Sequence, residues 1–115
     1  MNDFLRRRDR YMRDSLAVRL GGIAANLARV KSFGKNPDNG QLISSLLRES
    51  GWFIEWAAPE TDLPVAIELV AIQRQIVQWL ADWPVLWPNA DRRQVVLERS
   101  SLWSEWILAR SGLLD

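Results

Sequence analysis

The sequence predicts an all-α protein, an antiparallel up-and-down four-helix bundle. Three observations lead there. Four long segments repeat apolar residues at steps of three and four, and no run of four or more residues alternates as a half-buried strand would. The connections between them are short and carry Gly, Pro and Asn. Short loops between long helices make sequential helices antiparallel neighbours. A length of 115 residues suits one helical domain over 1–115 with a core of its own.

The first helix is expected over about 3–33. Its seam is Leu5, Met12, Leu16, Leu20, Ile23, Leu27 and Val30, beside a stripe of small residues, Ala17, Gly21, Ala24 and Ala28. Small side chains at this spacing let another helix approach closely. Gly21 and Gly22 each cost roughly 1 kcal/mol against Ala in a helix interior, so the pair marks a tight crossing or a mild kink. The second helix is expected over 37–58. Asn36 caps it, Pro37 suits its first turn and Pro59 stops it. Its buried face reads Leu42, Ile43, Leu46, Phe53, Ile54 and Ala57.

The third helix, over 62–83, carries two apolar stripes. One is Leu63, Ile67, Val70, Val77 and Leu80; the other is Val65, Leu69, Ile72, Ile76, Trp79 and Trp83. A helix apolar on both flanks is expected to lie centrally, with neighbours on each side. The fourth helix, over 89–111, has Asn89 as its cap and Val95, Val96, Leu102, Trp103, Trp106 and Ile107 on its apolar face. Gly112 supplies a left-handed terminus, closed by Leu113.

Composition removes several function classes. There is no Cys and no His. Thiol nucleophiles, disulfides, thiolate metal sites and imidazole bases are therefore excluded. No glycine-rich phosphate loop or paired carboxylate motif is spelled out, so no catalytic residue, metal ligand or cofactor is assigned. No apolar run reaches the roughly 18 residues of a membrane span, and the N-terminus has no signal-peptide centre. A cytoplasmic protein is the expectation.

Charge is divided along the chain although the total is +1. Residues 1–35 hold nine basic and three acidic side chains, a net of +6; residues 36–115 hold six basic and eleven acidic, a net of −5. Arg6, Arg10 and Arg13 share one helix face, with Lys31 on the same side further along. Guanidinium forks take carboxylates or phosphates, so these four are candidates for binding an anion or an acidic partner. Seven tryptophans are a heavy load for this length. Trp79, Trp103 and Trp106 fall on core faces. Trp52, Trp56, Trp83 and Trp87 lie on a flank or near helix ends and are candidates for a partner-binding surface, since Trp and Arg are enriched at hot spots. Truncating Trp83 or Trp87 is then expected to cost binding more than stability.

Leu5-Arg6, opening a helix that ends in lysine, is similar to the start of the small all-α chorismate mutases. That family needs a second arginine where this chain has Ile23-Ala24-Ala25-Asn26, so no site residue carries over. Leu27-Ala28-Arg29-Val30-Lys31-Ser32-Phe33, Phe53-Ile54-Glu55-Trp56-Ala57-Ala58-Pro59-Glu60 and Ser111-Gly112-Leu113-Leu114 resemble a family of small cyanobacterial proteins without known activity. The resemblance implies a cyanobacterial, cytoplasmic origin and assigns no site. The functional expectation from the residues is a non-catalytic interaction module, a small adaptor or assembly subunit with a protein partner. A homodimer is compatible with it. The alternative is a binder of anionic surfaces (RNA, DNA or lipid headgroups) through the N-terminal arginines, ranked behind it.

Overall fold

The computed structural model describes residues 2–114. Among them it contains six α-helices and no strand: α1 (Asp3–Met12), α2 (Leu16–Phe33), α3 (Gly40–Ala57), α4 (Leu63–Ala81), α5 (Trp83–Leu86) and α6 (Ala90–Arg110). Two 3-10 turns, Pro37–Asn39 and Ala58–Glu60, lead into α3 and out of it.

Most of the capping chemistry read from the sequence is present. Asn89 accepts from the Arg92 N–H at 3.0 Å and caps α6, whereas Asn36 accepts from the Asp38 N–H at 3.0 Å and caps the 3-10 turn rather than α3, whose own cap position, Asn39, makes no side-chain capping bond. Gly112 has φ +88°, a left-handed conformation costly for any residue with a Cβ. It turns Leu113 back onto Gly21, so close that a methyl on Gly21 would collide with the leucine.

The expected first helix is two helices. Ser15 is extended and its hydroxyl accepts from the Val18 N–H at 3.2 Å, capping α2. The break lets α1 fold over the second half of α3, where Phe4 meets Trp52 and Trp56 edge-on and Tyr11 stacks on Phe53 at 4.0 Å. Those three aromatic contacts, with Tyr11 and Trp56 buried, offset the few backbone hydrogen bonds that an unbroken helix would add.

Helix α2 packs along α6 on one side and α3 on the other, and α3 in turn packs on α4. The small residues of α2 work as expected at the α6 crossing: Ser104 donates to the Ala24 carbonyl at 2.7 Å. Gly21 and Gly22 produce no hinge, since α2 is continuous through them. The core is built from Ile23, Leu27, Ile43, Leu47, Ile54, Leu69, Ile76 and Ile107.

Two expectations about faces are overturned. Leu5, Leu42, Val95 and Leu102 are exposed, while Leu47 and Leu97 take up core positions. More consequential is α4, which lies at the edge of the packing order rather than at its centre. Its Leu69, Ile72, Ile76 and Trp79 stripe is buried; of its other stripe Leu63, Ile67, Val70 and Val77 face outward, while Leu80 is half-buried against the core. Towards α6, α4 makes contact through the Trp79–Trp103 ring stack at 5.1 Å.

Candidate interaction surface

The four candidate tryptophans form two separate pairs. Trp83 and Trp87 stack on each other at 5.0 Å. Their ring N–H groups donate to the carbonyls of Gly40 at 3.2 Å and Pro37 at 2.7 Å, respectively. A Cβ on Gly40 would come within 2.6 Å of the Trp87 ring, so glycine there is what allows the indole to lie against the backbone. Trp52 and Trp56 stand 12 and 16 residues further along α3, roughly 18 and 24 Å away at helical rise. No single tryptophan surface exists.

Nor are these side chains mostly free. Trp56 and Trp87 are buried; Trp52 and Trp83 are half-buried. Trp52 is covered on one face by Phe4 and approached by the Arg7 guanidinium at 5.3 Å. Trp87 is therefore a core residue that pins α5 to the start of α3. The expectation that truncating Trp87 costs binding more than stability is corrected on that ground, since a buried indole is lost with it.

The arginines behave as the helix geometry demands. At 100° per residue, Phe4, Arg7 and Tyr11 point towards α3 while Arg6 and Arg13 project from the other side of α1; Arg10 lies between, on the rim of a cleft shared with Arg7, Tyr11, Glu49 and Phe53. Arg6, Arg10 and Arg13 are exposed, and none enters an ion pair among the described residues. Lys31 is not brought to them. It lies on the last turn of α2, at the opposite end of the α2–α3 pair from the aromatic contacts that hold α1.

Two polar connections escaped the sequence reading. Arg19 is only 5% exposed. Its guanidinium donates to both Glu60 oxygens at 2.7 and 2.9 Å and to the Asp14 carbonyl at 3.1 Å. The Arg19 carbonyl accepts from the Tyr11 hydroxyl at 2.8 Å. Those hydrogen bonds hold the Glu60 carboxyl below the ordinary glutamate range and the Arg19 guanidinium above its own. Burial pushes the Tyr11 hydroxyl above the usual tyrosine value. In the second connection, the Glu49 carboxylate accepts from Asn26 at 3.0 Å and pairs with Arg7 at 3.4 Å. Both connections tie α1 to its neighbours. A sequence offers no signal for a partner 23 or 41 residues away.

The fold leaves open a mainly apolar cleft of about 350 Å³ beside Trp83, Pro84 and Trp87, and a longer surface running from α1 to α4. Along this longer surface a cleft of about 540 Å³ lies between Phe4, Arg8 and Trp56. A second, of about 350 Å³ and mainly apolar, is floored by Ala58, Ala66 and Val70. Glu55 and Pro59 line both clefts, so the two adjoin. The second opens onto the outward stripe of α4, where Leu63 is 73%, Ile67 59%, Val70 43% and Val77 59% exposed. Apolar side chains grouped this way on one helix face are characteristic of contact surfaces rather than of scattered surface residues.

Among the described residues, no group of three acid side chains is placed to hold a metal ion, and no helix is long and apolar enough to cross a membrane. No protein family, no curated protein and no solved structure matches the chain.

Proposed function

We propose that this chain is a non-catalytic protein-interaction module, a small adaptor or assembly subunit. The observation that carries the reading is the continuous surface from Arg8 on α1, past the Trp56 edge and Pro59, to the uncovered apolar stripe of α4. It combines an arginine, an aromatic edge and aliphatic side chains, the mixture found at the centre of protein interfaces. Arg8 and Glu55 supply opposite charges within it, which suits a protein partner better than a polyanion. The four long helices are read as the up-and-down bundle the sequence predicts, opened along α4. The packing of α2 on α3, α3 on α4 and α2 on α6 supports this.

The test is capture from a nuclease-treated lysate, cyanobacterial in line with the family resemblance. Wild type is compared with Val70→Glu and Arg8→Glu, both at exposed positions. A defined protein retained by wild type and lost by at least one variant supports the module. Retention unchanged by either substitution contradicts it.

The second reading is a binder of anionic surfaces, supported by the exposed and unpaired Arg6, Arg10 and Arg13. Phosphate contacts release counterions, so such binding weakens steeply with salt. Material lost on nuclease treatment, or a steep salt dependence abolished by Arg10→Glu, would favour it.

A further inference from the structure

Helix α4 carries a regularity that the core does not use. Leu63, Ile67, Val70, Arg74, Val77 and Ala81 follow at steps of four, three, four, three and four, and all six are exposed. This is the heptad spacing of a coiled-coil seam, which keeps successive side chains facing a second helix. The seam is about 27 Å long at 1.5 Å per residue. It is also symmetric about residue 72. Turned end for end, it sets Leu63 against Ala81, Ile67 against Val77 and Val70 against Arg74.

The one charged member fixes the direction. Two copies in parallel register would place Arg74 against Arg74, a like-charge contact. In the antiparallel arrangement each Arg74 comes over Val70 of the other copy, at the apolar cleft whose wall carries Glu55. Among the described residues neither Arg74 nor Glu55 enters an ion pair. The Glu55 carboxylate accepts only a long hydrogen bond of 3.5 Å, from the Gln73 amide. An unpaired cation on the seam thus meets an unpaired carboxylate beside it, and a lone charged seam residue is the usual device for choosing one register over others.

We infer that the α4 surface is occupied by a second copy of this chain. The two copies dock antiparallel about a two-fold axis near residue 72, with Arg74 of each paired to Glu55 of the other. The inference rests on the interaction-module reading and names the partner of that same surface. It uses the apolar stripe and the Val70 cleft, and leaves the Arg8 cleft and the outward arginines free.

Sedimentation velocity on the full chain over a concentration series tests it, with folding monitored by far-ultraviolet circular dichroism. The expected result is a species of twice the chain mass. Arg74→Glu and Glu55→Arg are each expected to weaken association by about tenfold, by turning attraction into repulsion. The double substitution restores it, because the pair is then reversed rather than broken. Direction is read separately. The chain has no cysteine, so Ile67→Cys chains mixed with Val77→Cys chains cross-link on oxidation, whereas Ile67→Cys chains alone do not. A monomer at every concentration overturns the inference. So does a dimer indifferent to both charge reversals, or a self-linking Ile67→Cys chain. A monomer that still captures a protein through Val70 overturns the second copy and leaves the module standing; a monomer that captures nothing overturns both.

Discussion

The almost fully buried guanidinium of Arg19 grips both oxygens of the half-exposed Glu60 carboxylate, at 2.7 and 2.9 Å. Arg19 opens α2 and Glu60 closes the turn after α3, so the pair fixes where the α1–α2 corner sits on α3. Glu60 has its carboxyl held below the ordinary range. A group with a depressed folded pKa contributes stability above its unfolded pKa and loses it as pH falls through the folded one. Thermal stability is therefore expected to fall as pH drops from the ordinary glutamate value towards more acidic pH. Glu60→Gln lowers the neutral-pH melting temperature and flattens that acid dependence.

At the alkaline end Tyr11 takes over. Burial raises its pKa, so its contribution is complete below the unfolded tyrosine value, about 10. It declines as pH rises beyond that value towards the folded one, because only the unfolded chain ionises there. Stability towards equilibrium unfolding is expected to fall from about pH 10 upwards. Tyr11→Phe removes the slope while losing the hydrogen bond to the Arg19 carbonyl.

Gly40→Ala is expected to destabilise by about 2 kcal/mol, the range for forcing a group into packed space. The added methyl would displace the Trp87 ring and with it the hydrogen bond to Pro37. Trp87→Ala itself is expected to cost about 3 kcal/mol or more as a large-to-small core change. Denaturant unfolding followed by tryptophan fluorescence measures both.

Ser100 offers the opposite sign. Its hydroxyl is fully buried on α6 and has no hydrogen-bond partner. Neighbouring Ser104 shows what a satisfied hydroxyl at this crossing looks like, donating to Ala24. Ser100→Ala is expected to stabilise by about 1 kcal/mol, the cost of an unmet buried polar group. A rise in the denaturation midpoint at unchanged slope is the readout.

Helix ends were legible in the sequence because their chemistry is local. Asn36, Asn89 and Gly112 satisfy or reverse the backbone within three residues. The break at Ser15 had the same local signal, a hydroxyl able to cap α2, but the apolar seam runs through it and masked it. The buried side of α4 was not legible. Both its stripes are apolar over the full length of the helix, and periodicity marks a face without saying which neighbour covers it. Trp87 was misassigned because its burial depends on Gly40, 47 residues earlier and legible only as a loop glycine. Nothing in the local sequence marks Arg19 or Asn26 as buried, because their carboxylate partners come from the turn after α3 and from α3 itself.

The interaction surface is tested most directly by hydroxyl-radical footprinting of the purified chain, dilute and associated, at residue resolution. Ile67, Val70 and Val77 on α4 are compared with Val95 and Leu102, equally exposed aliphatics on α6. The account predicts that labelling of the three α4 side chains falls on association while Val95 and Leu102 label as before. Unchanged labelling along α4, with protection confined to the arginine side of α1, would contradict it.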